Sequence, residues 1–155
     1  MTARLLALAL AVAPAAPVPV QVEADEVHYQ YRDRQVLFIG KPLVRLTRQK
    51  AVLTCKRLVT DNDEQGRIEK AVCTGDVRLV QGERTVTCEK ATFVDKLSRV
   101  FCVGNPVLHD GKSVMRGDEL VYDLDEDRAT LSSANGTVVP RPGDEPQHRK
   151  KGAPQ

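Results

Sequence analysis

Four cysteines are the residues of this chain whose type and spacing point most directly to covalent chemistry. They are Cys55, Cys73, Cys88 and Cys102. None belongs to a C-x-x-C pair and the three histidines are scattered, so a zinc site has little support. In an oxidising compartment an even number of cysteines instead indicates disulfide bonds.

The turns between the cysteines suggest which of them pair. Cys55 and Cys73 are nearly equidistant from the turn-rich stretch 61–66, and Cys88 and Cys102 flank the turn around Asp95 in the same way. Each pair is therefore expected on the two strands of one hairpin, facing inward. Each bridge would stabilise the fold by roughly 3 kcal/mol. A bridge between repeats, such as Cys55 to Cys88, is the rival pairing, and four reduced core thiols are the remaining alternative.

Other residues typical of catalytic or metal sites form no recognisable constellation. There is no nucleophile elbow, no distinctive carboxylate pair and no glycine loop that would cradle a phosphate. The acidic stretches 61–66 and 123–127 begin like calcium loops, but Val72 and Arg128 occupy positions that need Glu and Gly. We therefore expect hairpin turns there, and no enzyme activity, metal or cofactor. Basic residues alternate with acidic ones without an aromatic platform, so nucleic acid is not an expected partner.

A repeat of roughly thirty residues must position these groups. Glycine closes a short apolar run at Gly40, Gly75, Gly104 and, more weakly, Gly136, and a second type of segment recurs between the glycines. Such recurrence predicts one hairpin-like unit stacked on copies of itself.

The second type of segment changes its alternation at the same place in every copy. Inward and outward residues alternate as in a half-buried strand, and the phase then flips after two charged residues. The charged pairs are Asp25-Glu26, Lys56-Arg57, Glu89-Lys90 and Asp118-Glu119. The flip predicts a strand that bends at a corner or bulge with both charges outside. The alternative to a bend is coincidence, since pairs of charged residues are common in any sequence.

Composition and the two termini bound the domain. Residues 1–15 resemble a cleavable secretory signal, with Arg4 before a short apolar core that is too short to span a bilayer. Residues 140–155 are basic and rich in Pro and Gly, which is typical of a disordered tail. One domain over residues 20–139 remains. Its 4% aromatic content and lack of Trp predict an aliphatic interior, which suits alkyl chains but also an ordinary sandwich core.

Four short motifs lie in a fixed order within residues 20–139. They are Ala24-Asp25-Glu26-Val27-His28-Tyr29, Thr74-Gly75-Asp76-Val77-Arg78-Leu79, Gly104-Asn105-Pro106-Val107-Leu108 and Gly117-Asp118-Glu119-Leu120-Val121-Tyr122-Asp123. In sequence and spacing they resemble the OstA-like domain of the LptA family of periplasmic lipopolysaccharide-transport proteins. The resemblance implies an all-β fold, a twisted antiparallel β-jelly roll (β-taco) of repeated bent hairpins with a hydrophobic groove and about sixteen short strands.

The resemblance also implies a function in the periplasm. Members shelter the lipid A acyl chains of lipopolysaccharide in the groove and join end to end by strand addition. The expected partners are lipopolysaccharide, an LptC-like inner-membrane protein, an LptD-like outer-membrane translocon and a second copy in a head-to-tail homo-oligomer. The docking edges are expected near Val20 to Tyr31 and Leu131 to Val139, with Pro140 ending the last strand. The alternatives are an LptC-like or translocon-associated OstA-like domain, and a structural envelope scaffold without transport.

The inward positions of the repeat are the expected groove lining, although each is also a candidate for plain core. They are Val22, Ala24, Val27, Val36, Phe38, Leu53, Leu58, Val86, Ala91, Val100 and Leu120.

Overall fold

The structure, a computed structural model, describes residues 13–14 and 16–142. The predicted signal therefore lies almost entirely outside the described residues, as does the predicted tail beyond residue 142. The described chain forms twelve antiparallel strands and one 3₁₀ turn, Asp95–Leu97. In chain order the strands are β1 (Val20–Glu23), β2 (Glu26–Gln30), β3 (Gln35–Arg48), β4 (Ala51–Asn62), β5 (Ile68–Gln81), β6 (Arg84–Val94), β7 (Arg99–Val103), β8 (Val107–Asp110), β9 (Ser113–Arg116), β10 (Glu119–Asp123), β11 (Arg128–Ser132) and β12 (Asn135–Thr137).

The chain crosses the sheet repeatedly, and we call each crossing, whether one long strand or two consecutive short strands, a pass. Each pass bends once, as the phase flip predicts. The register between neighbouring long strands shifts at Ile39/Val44, at Thr54/Arg57 and at Thr74/Val77. In the other passes the bend falls between two short strands, such as β1 and β2 or β9 and β10. When each of the four long strands, β3 to β6, is counted as two halves, the sheet has sixteen short strands, the predicted number.

The bends line up and divide the sheet into two layers. Layer A contains β2, β7, β10, β11 and residues 35–39, 57–62, 68–74 and 90–94 of the long strands. Layer B contains β1, β8, β9, β12 and residues 44–48, 51–54, 77–81 and 84–87. β1 and β2 at one edge do not pair with β11 and β12 at the other, so the described sheet is curled but unclosed. The predicted all-β jelly-roll class is confirmed.

A single aliphatic core fills the space between the layers. Strand β4 shows why: Leu53 and Cys55 face inward before the bend, Lys56 and Arg57 are exposed at it, and Leu58 is buried after it. A register shift changes which alternate residues face inward, so apolar side chains from both halves of one strand meet in the same core. The expected aliphatic interior is confirmed, with Phe93 and Tyr122 as its largest buried side chains.

Polar contacts on the outer side hold the bend. The Lys41 side chain donates to Glu26 at 2.6 Å, and Lys56 pairs with Asp76 at 3.0 Å. In the next repeat the Asn105 amide donates to Glu89 at 3.2 Å. Three of the four charged pairs that mark the flip in the sequence therefore contact the neighbouring pass at the bend.

Gly136, the weakest glycine of the repeat, lies in a different place from the other three. Gly40, Gly75 and Gly104 lie at the bend, but Gly136 lies inside β12, opposite Met115. The corresponding bend falls between β11 and β12, at residues 133–134. A side chain at residue 136 would overlap the Val114 carbonyl, so this glycine is required by the close approach of β9 rather than by the bend.

Gly104 offers a test of the bend. It has a φ of +82°, and a Cβ added there would lie 2.6 Å from the Glu89 Cβ, whereas Gly82 has a φ of +59° and open space around it. Gly82→Ala should cost about 1 kcal/mol of unfolding free energy from backbone strain alone. Gly104→Ala should cost at least about 2 kcal/mol because the overlap adds to the same strain. Urea denaturation measures both, and equal losses would show that packing at the bend is not tight.

Candidate functional site

The predicted groove residues all lie on inner faces but divide into two groups. Six of them are packed core, with no more than 2% exposure: Leu53, Leu58, Val86, Ala91, Val100 and Leu120. The other five belong to the first repeat, where Val22, Ala24 and Phe38 are partly buried and Val27 is 42% exposed. Val36 is buried but borders open space. The middle of the fold is therefore filled by its own side chains, and the apolar face is accessible at the N-terminal edge.

A cavity of about 550 Å³, lined by apolar and polar residues, opens between the layers at this edge. Val20 and Val22 of layer B face Tyr29, Val36 and Phe38 of layer A across it. Residues 17–19 and Ile68 complete the apolar wall, and the polar rim is formed by Asn62, Arg67 and Asp95. We call this space the N-terminal cavity.

The apolar face continues outward from the N-terminal cavity along β2. The Tyr29 side chain is 60% exposed and that of Tyr31, just beyond the strand, is 84% exposed, and the two rings stack with centroids 5.7 Å apart. Val27 lies on the same face of β2. Exposed apolar surface that continues into a cavity marks a binding surface more often than an isolated apolar residue does.

Beyond the N-terminal cavity, polar side chains connect the layers on the side opposite the bend. The Arg48 side chain is 6% exposed, and its guanidinium reaches Asp95 and Asp125 at 3.3 Å each and donates to the Ser98 hydroxyl at 2.9 Å. The guanidinium also lies 5.9 Å from the centre of the Phe93 ring. A buried guanidinium is retained only with such partners, because an unpaired buried charge is costly.

A second cluster connects the layers at Asp127. The Asp127 carboxylate accepts hydrogen bonds from Arg84, Tyr122 and, at 3.1 Å, the Gln81 amide. The Tyr122 hydroxyl and the Arg84 guanidinium hold the pKa of Asp127 below its usual range. Burial, followed by the neighbouring Asp127 carboxylate, raises the pKa of Tyr122 to about 12. Asp127 is therefore ionised and Tyr122 neutral at neutral pH.

The inward polar residues were missed in the sequence, although a signal was present. Alternation along layer B runs Val44, Leu46, Arg48 and then Val77, Leu79, Gln81, so the last inward position of each pass is polar. Arg84 likewise precedes the inward Val86. Their partners could not be found in this way, because Asp95 and Asp125 are 47 and 77 positions from Arg48.

One of the two predicted disulfides is present. Cys55 and Cys73 are bonded, with their Cα atoms 5.8 Å apart, across the bend between β4 and β5. The predicted Cys88–Cys102 bridge is absent, and both residues are free thiols at the equivalent positions one hairpin later. The Cys88 thiol donates to the Lys90 carbonyl at 3.4 Å. The neighbouring Cys88 thiol and burial raise the pKa of Cys102, so that residue is held as a neutral thiol.

Membrane spans and metal clusters are both lacking among the described residues. The described part of the chain contains no helix with the length and hydropathy of a bilayer span. Nor do residues 13–14 and 16–142 bring three or more His, Cys, Asp or Glu side chains together as a metal site requires.

The sequence matches a family of envelope proteins. The model of the family described as "LptA/(LptD N-terminal domain) LPS transport protein" matches residues 21–128. The LPS-assembly protein LptD of Photobacterium profundum is 29% identical over 87 residues, which are 56% of this chain and 11% of that protein. The chain therefore corresponds to only a small part of that relative's length.

The fold matches a solved structure. LptH of Pseudomonas aeruginosa, described as the LptA-homologous periplasmic component of the lipopolysaccharide transport device, superimposes with a TM-score of 0.68. The match covers 79% of this chain and 96% of LptH at 14% identity. At that identity the likeness concerns the fold.

The bridge can be tested by comparing two double variants. Cys55→Ala/Cys73→Ala should lower the unfolding free energy by about 3 kcal/mol, because the unfolded chain loses a cross-link. Cys88→Ala/Cys102→Ala is the matched control, since it also removes two thiols but no bond. Chemical denaturation with and without reductant measures the difference. Equal losses in the two variants, or no effect of reductant on the wild type, would contradict a stabilising bridge.

Proposed function

The chain belongs to the LptA/LptD N-terminal-domain family of lipopolysaccharide transport proteins, and we propose that it carries lipopolysaccharide through the periplasm. In this proposal the lipid A acyl chains enter the groove between the layers and the sugars stay outside. No residue performs chemistry, because transfer along an apolar surface needs only a continuous shelter from water.

The N-terminal cavity is the observation that carries the proposal. It combines apolar walls from both layers with the exposed face of β2. Burial of acyl chains contributes about 0.8 kcal/mol per methylene, so even part of one chain supplies a large driving force. The packed residues of the middle repeats are then the part of the groove that rearranges when chains move inward.

The unpaired sheet edges support end-to-end assembly. One edge consists of β1 and β2, and the other of β11 and β12, close to the two stretches expected from the sequence. The last strand ends at Thr137, before Pro140. We propose that an LptC-like protein and an LptD-like translocon, or a second copy of this chain, add strands to these edges. The two inner faces would then continue from one protein into the next.

A ligand-free envelope scaffold is the second candidate. The observation in its favour is the dense middle of the fold, where Leu53, Leu58 and Val86 leave no space for a chain. A scaffold needs the edges but not the N-terminal cavity, so occupancy of that cavity by glycolipid separates the two functions.

Photo-crosslinking at two adjacent residues of β2 tests the transport function. A benzoylphenylalanine at Tyr29 faces the N-terminal cavity, and one at His28 faces the opposite side. Both native side chains are more than half exposed, which makes them a matched pair. We expect lipopolysaccharide to crosslink to residue 29 and not to residue 28 in the exported protein. Mass spectrometry of the adduct identifies the glycolipid, and the absence of adduct at both positions would favour the scaffold.

Edge assembly can be tested on β11. Ala129 faces the core opposite Tyr122, and Thr130 faces outward opposite Val121. An inward-pointing charge on an edge strand blocks strand addition, so Ala129→Lys should abolish concentration-dependent oligomers or partner binding. Thr130→Lys places the same charge on the outer side and should reduce assembly far less. Sedimentation velocity measures both variants, and identical behaviour of the two would argue against a joint at this edge.

A further inference from the structure

Three polar side chains of layer B contact layer A where strands end. Arg48 ends β3, Gln81 ends β5 and Arg84 begins β6, all in layer B. Their partners belong to the two turns of layer A that contain residues 95–98 and 124–127. These contacts therefore bridge the two layers on the side of the core opposite the bend, where the same residues also line a cleft of about 760 Å³.

Asp95 connects this side of the core with the N-terminal cavity. Its side chain lines the cavity and also pairs with Arg48 at 3.3 Å. The open part of the groove consequently ends at the first of the polar contacts. The Phe93 ring, which is 1% exposed, lies directly beneath the Arg48 guanidinium.

The chemistry of these contacts suits reversible opening better than permanent closure. Apolar side chains in place of a buried ion pair often give equal or greater stability, so stability alone does not explain the charged groups. The carboxylates of Asp95 and Asp125 are 39% and 58% exposed, so they stay hydrated at the rim. A guanidinium that leaves such a site becomes hydrated again. Separation of the layers here exposes less apolar surface than separation of an interface made only of apolar side chains.

We propose that Arg48, Gln81 and Arg84 form a polar latch that must release before acyl chains can pass from the N-terminal cavity into the middle of the groove. This inference rests on the proposed function, since it concerns how the same groove takes up the same glycolipid. The latch keeps the empty core closed to water and yields when the layers separate on the side away from the bend. The bridge Cys55–Cys73 lies at the bend, where the layers stay joined.

The latch can be weakened by two substitutions that keep side-chain size. Asp125→Asn/Asp127→Asn removes one carboxylate from the Arg48 cluster and one from the Arg84 cluster. Asp76→Asn is the matched control, because Asp76 pairs with Lys56 at 3.0 Å on the outer side of the bend and contacts no residue of the latch. Arg48→Met replaces the double variant if circular dichroism shows that the latter is unfolded, since it removes the guanidinium and keeps the aliphatic stem.

The readout compares crosslinkers on the two sides of the latch. Benzoylphenylalanine at Tyr29 reports on the N-terminal cavity, and the same group at Phe93 reports on the core beneath Arg48. We expect the yield of lipopolysaccharide adduct at residue 93 to rise at least threefold in the latch variant and to stay at the wild-type value in Asp76→Asn.

The outcomes separate the latch from the proposed function. Adduct at residue 29 with an unchanged yield at residue 93 in the latch variant would overturn the latch and leave transport standing. The latch would also be overturned if, with the latch residues unchanged, the yield of adduct at residue 93 already equalled the yield at residue 29. No adduct at residue 29 in any variant would overturn the transport function itself.

Discussion

A register shift repeated along one line of the sheet is the constraint on which the rest of the structure depends. Side chains alternate with a period of two, so an unbroken long strand would keep one set of residues on one face. The shift at the bend lets Leu53 before it and Leu58 after it both face inward. Without the shift, one half of each long strand would turn its apolar residues to water, and the two layers would have no common core.

The bend also explains where the other stabilising features lie. The exposed charged pairs, the glycine at residue 104 and the disulfide Cys55–Cys73 are all at or beside it. Hydrogen bonds along the sheet hold each layer, whereas the opposite side is held by the side chains of Arg48, Gln81 and Arg84. The fold therefore has one side held by backbone hydrogen bonds and one held by polar side chains, and the proposed opening is at the second.

The difference between the two sides explains how a packed interior is compatible with the proposed carrier function. A groove that stayed open in water would expose its aliphatic lining, which the hydrophobic effect opposes. In the first repeat the lining is accessible because β1 and β2 have no neighbour on their outer side. Farther along, neighbouring passes on both sides fill the space with side chains such as Phe93 and Tyr122. In the proposed function, acyl chains would therefore compete with the protein's own core side chains for the same apolar surface.

The bends and the inward positions could be predicted from the sequence, because alternation and charged pairs are local signals that a period of two makes readable. The pairing of Cys55 with Cys73 could also be predicted from the sequence, since both flank one hairpin turn. Only the tertiary structure decided which inward residues are filled core and which border open space: Leu58 and Val27 occupy the same position in the repeat, yet one is buried and the other exposed. The difference depends on how many passes cover each residue. The pairing of Arg48 with Asp125 was likewise decided by the closing of the layers, because it joins residues far apart in the chain that no local pattern connects.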